Sequence, residues 1–177
     1  TANAVATSFA LAQLGENPDG TAAQYTAYTT REVTSTLTGN TATQVVTENV
    51  EANYTVVDVK TGSYTYKIAA PLTGIDNSKT QTVLASAVRT INGVRVFDRT
   101  TFSARPNGMA PIAREVVSEA ACTSCHKKLS LHGGRYTAPA QCVMCHQPQA
   151  ADPDTGNTLD MKVMFHKLHR GEALPSV

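Results

Sequence analysis

Alternating and β-branched positions dominate the chain from about Gln24 to Phe102. Thr, Val and Tyr recur throughout this stretch, and these residues suit a pleated, half-buried surface. Tyr64, Tyr66 and Ile68 alternate with polar residues, a period of two that directs one row of side chains inward. The pattern predicts a series of strands rather than helices.

Turn residues separate these strands at short intervals. Residues 83–90 and 94–101 are strand-like and flank Asn92-Gly93, a pair that favours a type I′ hairpin because both residues tolerate positive φ. Residues 14–20 are predicted as a loop ahead of the first long strand. Short strands with closely spaced turns predict an all-β sandwich or a small Greek-key split barrel.

The character of the sequence changes near residue 110. Residues 105–111 contain two prolines and a glycine and break the strand pattern. All four cysteines and all five histidines follow, between Cys122 and His169. We therefore predict an all-β, Ig-like or split-barrel domain at residues 1–110 and a second domain at 111–177. The second domain is expected to be mostly helix and coil, packed around a cofactor.

Charge and hydropathy argue against nucleic-acid binding and against a membrane-spanning helix. The formal net charge is only +1, which gives no support for binding nucleic acid. No apolar run approaches the roughly 18 residues that a membrane-spanning helix needs, so no transmembrane segment is expected.

Two copies of Cys-x-x-Cys-His occur, at residues 122–126 and 142–146. This motif is typical of c-type haem attachment. Two thiols three positions apart reach the vinyl groups of one porphyrin and form thioethers, and the following histidine binds the iron. The sequence predicts two covalently attached haem c groups, held by Cys122, Cys125, Cys142 and Cys145, with His126 and His146 as proximal ligands.

The cysteine spacing alone permits two other interpretations. Two Cys-x-x-Cys pairs separated by 16 residues also fit a four-cysteine zinc ribbon. Four cysteines in an exported protein can instead form two disulfides. Neither interpretation explains a histidine directly after each pair, or the three further histidines nearby.

Three histidines remain as distal ligands of the two irons: His132, His166 and His169. His132 precedes Gly133-Gly134, which allow the backbone to lie close to a flat macrocycle. His166 and His169 are predicted on one side of a helix that Asp160 caps. Two haems need four axial ligands, so one of the five histidines is surplus. We hypothesise that it serves a haem outside this segment.

Ligation by two histidines leaves no open iron position, which suits one-electron transfer. The expected function is therefore electron transfer rather than catalysis in the strict sense. Two alternatives remain open: a haem reductase with one open iron site, and a zinc-ribbon interaction module.

Several segments together resemble one family. The chain resembles outer-surface multihaem c-type cytochromes of the OmcA/MtrC type in residues 121–126, 129–135, 142–148 and 162–176. The similarity also includes residues 94–98 and 106–108 at the end of the β part. The resemblance implies a β-barrel-like domain followed by a multihaem domain. It places covalent attachment on the same four cysteines and axial ligation on His126, His132, His146, His166 and His169.

The resemblance also implies a location and partners. Such proteins lie at the outer cell surface, with the periplasm as the alternative location for an exported protein. They pass electrons to other multihaem cytochromes, copies of themselves, electron shuttles or metal oxides. Members typically carry about ten haems and two β domains, whereas this chain has two motifs. We therefore expect an N-terminal portion or a short relative.

Overall fold

The structure is a computed structural model that describes residues 5–49, 54–58, 60–69 and 71–171. The end of the predicted second domain, residues 172–177, lies outside the described residues. So does the corresponding part of the family-like segment at 162–176.

The described residues form nine strands and three helices. In chain order, the strands are β1 Ala6–Glu16, β2 Ala22–Ala27, β3 Thr30–Thr34, β4 Thr41–Val45, β5 Glu48–Asn49, β6 Tyr54–Asp58, β7 Ser63–Tyr66, β8 Gln81–Ile91 and β9 Val94–Ala104. The helices are α1 Glu119–His126, α2 Pro139–Cys142 and α3 Met161–Arg170.

One antiparallel sheet organises the β region. Its strand order is β2-β1-β8-β9, and the short β5 also pairs with β1. Two separate antiparallel hairpins, β3-β4 and β6-β7, complete the β structure of the described residues. The all-β, antiparallel character predicted for the first part of the chain is confirmed.

The predicted Asn-Gly hairpin is confirmed in detail. β8 and β9 pair along their full length, from Gln81 opposite Ala104 to Ile91 opposite Val94. Asn92 has φ 50° and Gly93 has φ 80°, so both turn residues occupy the left-handed region that a type I′ turn requires. This hairpin supplies one end of the main sheet.

The predicted loop at 14–20 is wrong at its first three positions. Residues 14–16 belong to β1, and Leu14 is fully buried and pairs with Tyr25 of β2. β1 contains few branched residues, so its sequence resembles a strand less than β8 does. It forms a strand because it lies between β2 and β8, where backbone pairing and burial on the sheet outweigh propensity.

The predicted inward row in β7 is also only partly correct. Tyr66 and Ile68 are half-buried, but Tyr64 is 45% exposed. β7 ends at Tyr66, so Ile68, the last apolar residue of the predicted alternating row, lies outside the strand. Tyr66 packs on Phe9 of β1, with ring centroids 5.1 Å apart.

The chain beyond residue 110 packs directly on the main sheet. Buried residues of β1 and β8 share a hydrophobic cluster with Cys142, Val143, Met144 and Met161. The prediction of two domains with a boundary near 110 is not tested by this packing and stays a prediction. The shared cluster means that the sheet positions the second Cys-x-x-Cys-His motif directly.

Candidate functional site

The second Cys-x-x-Cys-His motif begins at the end of α2. Pro139 occupies the first helical turn, where its missing N–H removes no intrahelical hydrogen bond. Cys142 and Val143 are buried, and Met144 is fully buried in the shared cluster. Cys145 and His146 are half-buried. Val143 and Met144, the two residues between the cysteines, therefore anchor the motif in the hydrophobic cluster.

A cavity of about 870 Å³ lies beside this motif, within the range of about 300–1,000 Å³ usual for bound small molecules and cofactors. The β3-β4 region supplies one wall and α3 another. The lining residues share an apolar character interrupted by thiol, imidazole and guanidinium groups; they include Val45, Leu131, His132, Cys142, Cys145, His146, Leu159, Met164, Phe165 and Leu168.

The chemistry of this lining fits a flat, apolar, anionic cofactor. Its two thiols and two imidazoles are the groups that would attach such a cofactor and bind its metal. Arg31 and Arg135 also line the cavity, whereas its lining contains no carboxylate from the described residues. A haem carries an apolar macrocycle and two propionates, so the residues present fit that group.

His132 reaches the cavity from a tight loop. Leu131 and Tyr136 form a β-bridge, and the Leu131 N–H donates to the Tyr136 carbonyl at 3.0 Å. Between them His132, Gly133 and Gly134 have φ values of 51°, 72° and 81°. The two glycines adopt this left-handed backbone readily, because they have no Cβ atom.

His132 and His146 face one another with ring centroids 6.0 Å apart and ring planes at 23°. Two imidazoles that bind one metal ion from opposite sides, through bonds of about 2.0–2.1 Å, have ring centres about 6 Å apart. The distance between the two rings therefore suits a shared axial ligation.

The orientation of His146 is fixed by its backbone contact. Its Nδ1 donates to the Leu159 carbonyl oxygen at 3.1 Å, which leaves Nε2 free as a metal ligand. Burial lowers the pKa of His146, an effect that the Leu159 hydrogen bond partly opposes and nearby His132 reinforces. The neutral imidazole, which is the form that binds a metal, is thereby favoured.

The two thiols of this motif are held in protonated form. Burial is the main cause that raises the pKa of Cys145 to about 11, with a smaller contribution from the charge of Cys142. Burial likewise raises the pKa of Cys142, and the neighbouring Cys122 raises it further. The electrostatic influence of Cys122 on Cys142 indicates that the first and second motifs lie near one another.

The first motif has a different environment. α1 contains the whole motif and is capped by Ser118, whose side chain accepts from the Ala121 N–H at 3.2 Å. α1 has no buried residue, and Cys125 and His126 are exposed. The first motif therefore lies at the surface of the described part of the chain.

His126 of the first motif faces His169 of α3. Their ring centroids are 6.0 Å apart and their planes are at 81°. His169 Nδ1 donates to the Phe165 carbonyl oxygen at 2.8 Å, so its Nε2 is also free for a metal. The predicted helix and its Asp160 cap are confirmed, because the Asp160 side chain accepts from the Lys162 and Val163 N–H groups.

His166 belongs to neither of these pairs. It lies on α3, three residues before His169, and is exposed. The structure thus brings four of the five sequence-predicted histidines together in two pairs and leaves the fifth outside them.

The polar residues that attach this region to the sheet were not predicted from the sequence. Gln147 is buried; its Oε1 accepts from the Ala27 N–H at 2.9 Å and its Nε2 donates to the Met144 carbonyl at 2.7 Å. Gln149 Nε2 donates to the Ala27 carbonyl at 3.2 Å. β2 is an edge strand, and these amides satisfy its outward-facing backbone groups. In the sequence, the position of Gln147 directly after the motif is the one feature that could have suggested its role.

The zinc-ribbon alternative gains no support from this geometry. Within the described ranges, no three His, Cys, Asp or Glu side chains are grouped as a metal ion would require. The disulfide alternative gains none either, since all four cysteines are free thiols.

Comparisons with known proteins agree with the site. Residues 114–175 match a family described as outer membrane cytochrome MtrC/MtrF-like, domains II/IV. The matched segment contains both Cys-x-x-Cys-His motifs, so this part of the chain is similar to outer membrane cytochromes of that type. Comparison with curated protein sequences gives no significant match.

A solved structure extends this similarity to the β region. The crystal structure of the outer membrane decahaem cytochrome OmcA matches 93% of this chain with a TM-score of 0.71 and 26% sequence identity. This chain covers 28% of the length of that one. The resemblance to the OmcA/MtrC type and the expected exported, cell-surface location are confirmed. None of the helices in the described ranges is long and apolar enough to span a membrane.

Proposed function

We propose that this chain is a c-type cytochrome unit that carries two covalent haems and passes single electrons between them and onward to a partner. The observation that carries the proposal is the His132–His146 pair, at 6.0 Å, beside Cys142 and Cys145 in one apolar cavity. Attached thiols and two facing imidazoles are the requirements of a six-coordinate haem c.

The histidine pairs supply a ligand set for each iron. Cys142 and Cys145 would attach the second haem, and His146 and His132 would bind its iron. Cys122 and Cys125 would attach the first, and His126 and His169 would bind its iron. Each haem would supply a one-electron carrier, which these side chains would hold and orient. In this proposal the chain is an electron carrier rather than an enzyme.

The remaining histidine, His166, is proposed to ligate an iron outside this segment. It is exposed on α3, next to the first pair, and it lies outside both facing pairs. A His166→Ala variant should then leave both haems low-spin. A loss of one low-spin haem in that variant would contradict the assignment.

Partners follow from the family rather than from this chain's surface. The extracellular location and the outer membrane relatives support electron exchange with other multihaem cytochromes, further copies of this chain, electron shuttles or metal oxides. The β region is proposed as a split barrel that holds the haem region through the shared hydrophobic cluster, and the haems complete the interior of residues 111–177.

Intact mass and the ultraviolet–visible spectrum of the chain, produced with haem maturation, test the proposal. The expected mass increase is that of two haems, and the spectrum should be low-spin in both oxidation states. Replacing Cys142 and Cys145 by Ala should remove one haem, and the matched Cys122 and Cys125 double variant should remove the other. A colourless, zinc-containing protein would refute the proposal, and rapid carbon monoxide binding would support the reductase alternative.

A further inference from the structure

Arg99 of β9 connects the two elements that form the second site. Its Nη1 donates to the Arg135 carbonyl at 2.7 Å, in the loop that carries His132. Its own carbonyl accepts from Gln141 Nε2 at 3.0 Å, in the helix that carries Cys142. One residue of the sheet therefore contacts both the distal loop and the attachment helix.

Tyr136 transmits the first of these contacts to the histidine. The Arg99 guanidinium lies over the Tyr136 ring, with Cζ 4.4 Å from the ring centroid. The Tyr136 ring in turn meets His132 edge-on, with centroids 5.3 Å apart and planes at 72°. The guanidinium, the phenol and the imidazole thus form a continuous stack.

The His132 loop needs external support of this kind. His132 itself has φ 51°, a conformation that a residue with a Cβ adopts only where its surroundings favour it. Residues 131–135 are all exposed, so solvent covers much of the loop. The contacts of Tyr136 and the Arg135 carbonyl with Arg99 hold its base against the sheet.

A role as an ordinary surface charge does not account for Arg99. Its Nε is buried without a hydrogen-bond partner, and the ion pairs of the described residues both involve Glu16 instead. Packing a guanidinium in this way is unfavourable unless other groups of the protein contact it. In this protein its planar face lies over Tyr136, and its Nη1 donates to the Arg135 carbonyl.

We propose that Arg99 is a positioning residue that holds His132 on the iron of the second haem. The inference rests on the proposed function, because it assumes that this haem is bound with His132 and His146 as its axial ligands. Arg99 acts through Tyr136 and the loop backbone, and it is not among the residues that line the cavity. Without it, His132 should leave the iron in a fraction of the molecules.

The test is Arg99→Gln in the full 177-residue chain with both haems attached. Intact mass should still show two haems, because the four cysteines are unchanged. One of the two haems should become partly high-spin, and carbon monoxide should bind to at most half of the reduced haem, whereas the unaltered chain binds none. Arg99→Lys keeps the charge but loses the planar fork, so it should show the same change in a smaller fraction of molecules.

Arg95→Gln is the matched control, since Arg95 lies on the same face of β9 and stacks on Phe97 at 5.3 Å. It should remain fully low-spin. If Arg99→Gln fails to fold, Tyr136→Leu tests the same stack with Arg99 in place, and Tyr136→Phe should preserve it. Fully low-spin spectra without carbon monoxide binding in folded Arg99→Gln or Tyr136→Leu would overturn the inference. Absence of covalent haem from the unaltered chain would instead overturn the proposed function.

Discussion

The two Cys-x-x-Cys-His motifs have the same chemistry but opposite environments. The second is part of the core: Cys142, Val143 and Met144 are buried against the sheet, and a cavity lies beside it. The first lies on α1, which has no buried residue. The same motif therefore occurs in a buried and in an exposed setting, because its two variable residues and its flanks differ.

The variable residues inside each motif make this difference testable. Met144 is fully buried, and Ser124 occupies the corresponding position of the first motif and is exposed. Met144→Ala should lower the free energy of unfolding by about 2–5 kcal/mol, because it removes buried contacts and leaves a cavity. Ser124→Ala should change it by at most about 0.5 kcal/mol. Urea denaturation followed by circular dichroism measures both.

Equal effects of these two substitutions would remove the distinction between a core motif and a surface motif. A Met144→Leu variant is the control for volume, since an approximately isosteric apolar exchange should cost less than about 1.5 kcal/mol.

The two proposed haems should differ in reduction potential. In the apolar cavity lined by Arg31 and Arg135, a bound haem would favour its reduced, less positive form, whereas the first motif lies at the surface. The second should have the higher potential, by on the order of 100 mV. Spectroelectrochemical titration of the chain should resolve the two components.

Replacing one histidine ligand at a time by methionine assigns each of the two reduction potentials to one motif. A methionine ligand raises the potential of the haem it binds, so His132→Met should move the higher component and His169→Met the lower one. The opposite assignment would mean that burial does not set the order of the two potentials.

Gln147 tests how the second motif is attached to the sheet. Gln147→Ala leaves the Ala27 N–H without its partner in a buried position, which should lower the free energy of unfolding by about 1–3 kcal/mol. Lys128 lies two residues after the first motif and is exposed, and Lys128→Ala should have little effect. A neutral Gln147→Ala would show that the amide contact does not stabilise the docked arrangement.

Helix caps give the smallest expected effect. Asp160 is buried and caps α3, whereas Ser118 is exposed and caps α1. Asp160→Ala should lower the free energy of unfolding by about 1 kcal/mol, and Ser118→Ala by about 0.5 kcal/mol or less. Asp160→Asn should retain much of the capping, because the amide oxygen can still accept the backbone hydrogen bonds. A larger effect from Ser118 would contradict the surface position of the first motif.

The sequence determined the features that rest on local chemistry. The Asn92-Gly93 turn follows from conformational preference, and the α3 cap follows from the Asp160 side chain. The predicted attachment motifs follow from the cysteine spacing together with the histidine after each pair. Each of these needs only a few neighbouring residues, so each could be predicted from one sequence. The family resemblance likewise rested on short segments around the histidines.

Tertiary structure decided the features that depend on distant residues. Leu14 lies in a strand because β2 and β8 flank it, and neither neighbour is visible in its local pattern. The histidine pairs were equally inaccessible: five candidates were recognised, but only the docking of α3 and of the His132 loop selects the partners. Gln147 and Arg99 act across separations of 120 and 36 residues, where hydrogen bonding and burial, rather than sequence pattern, determine the contact.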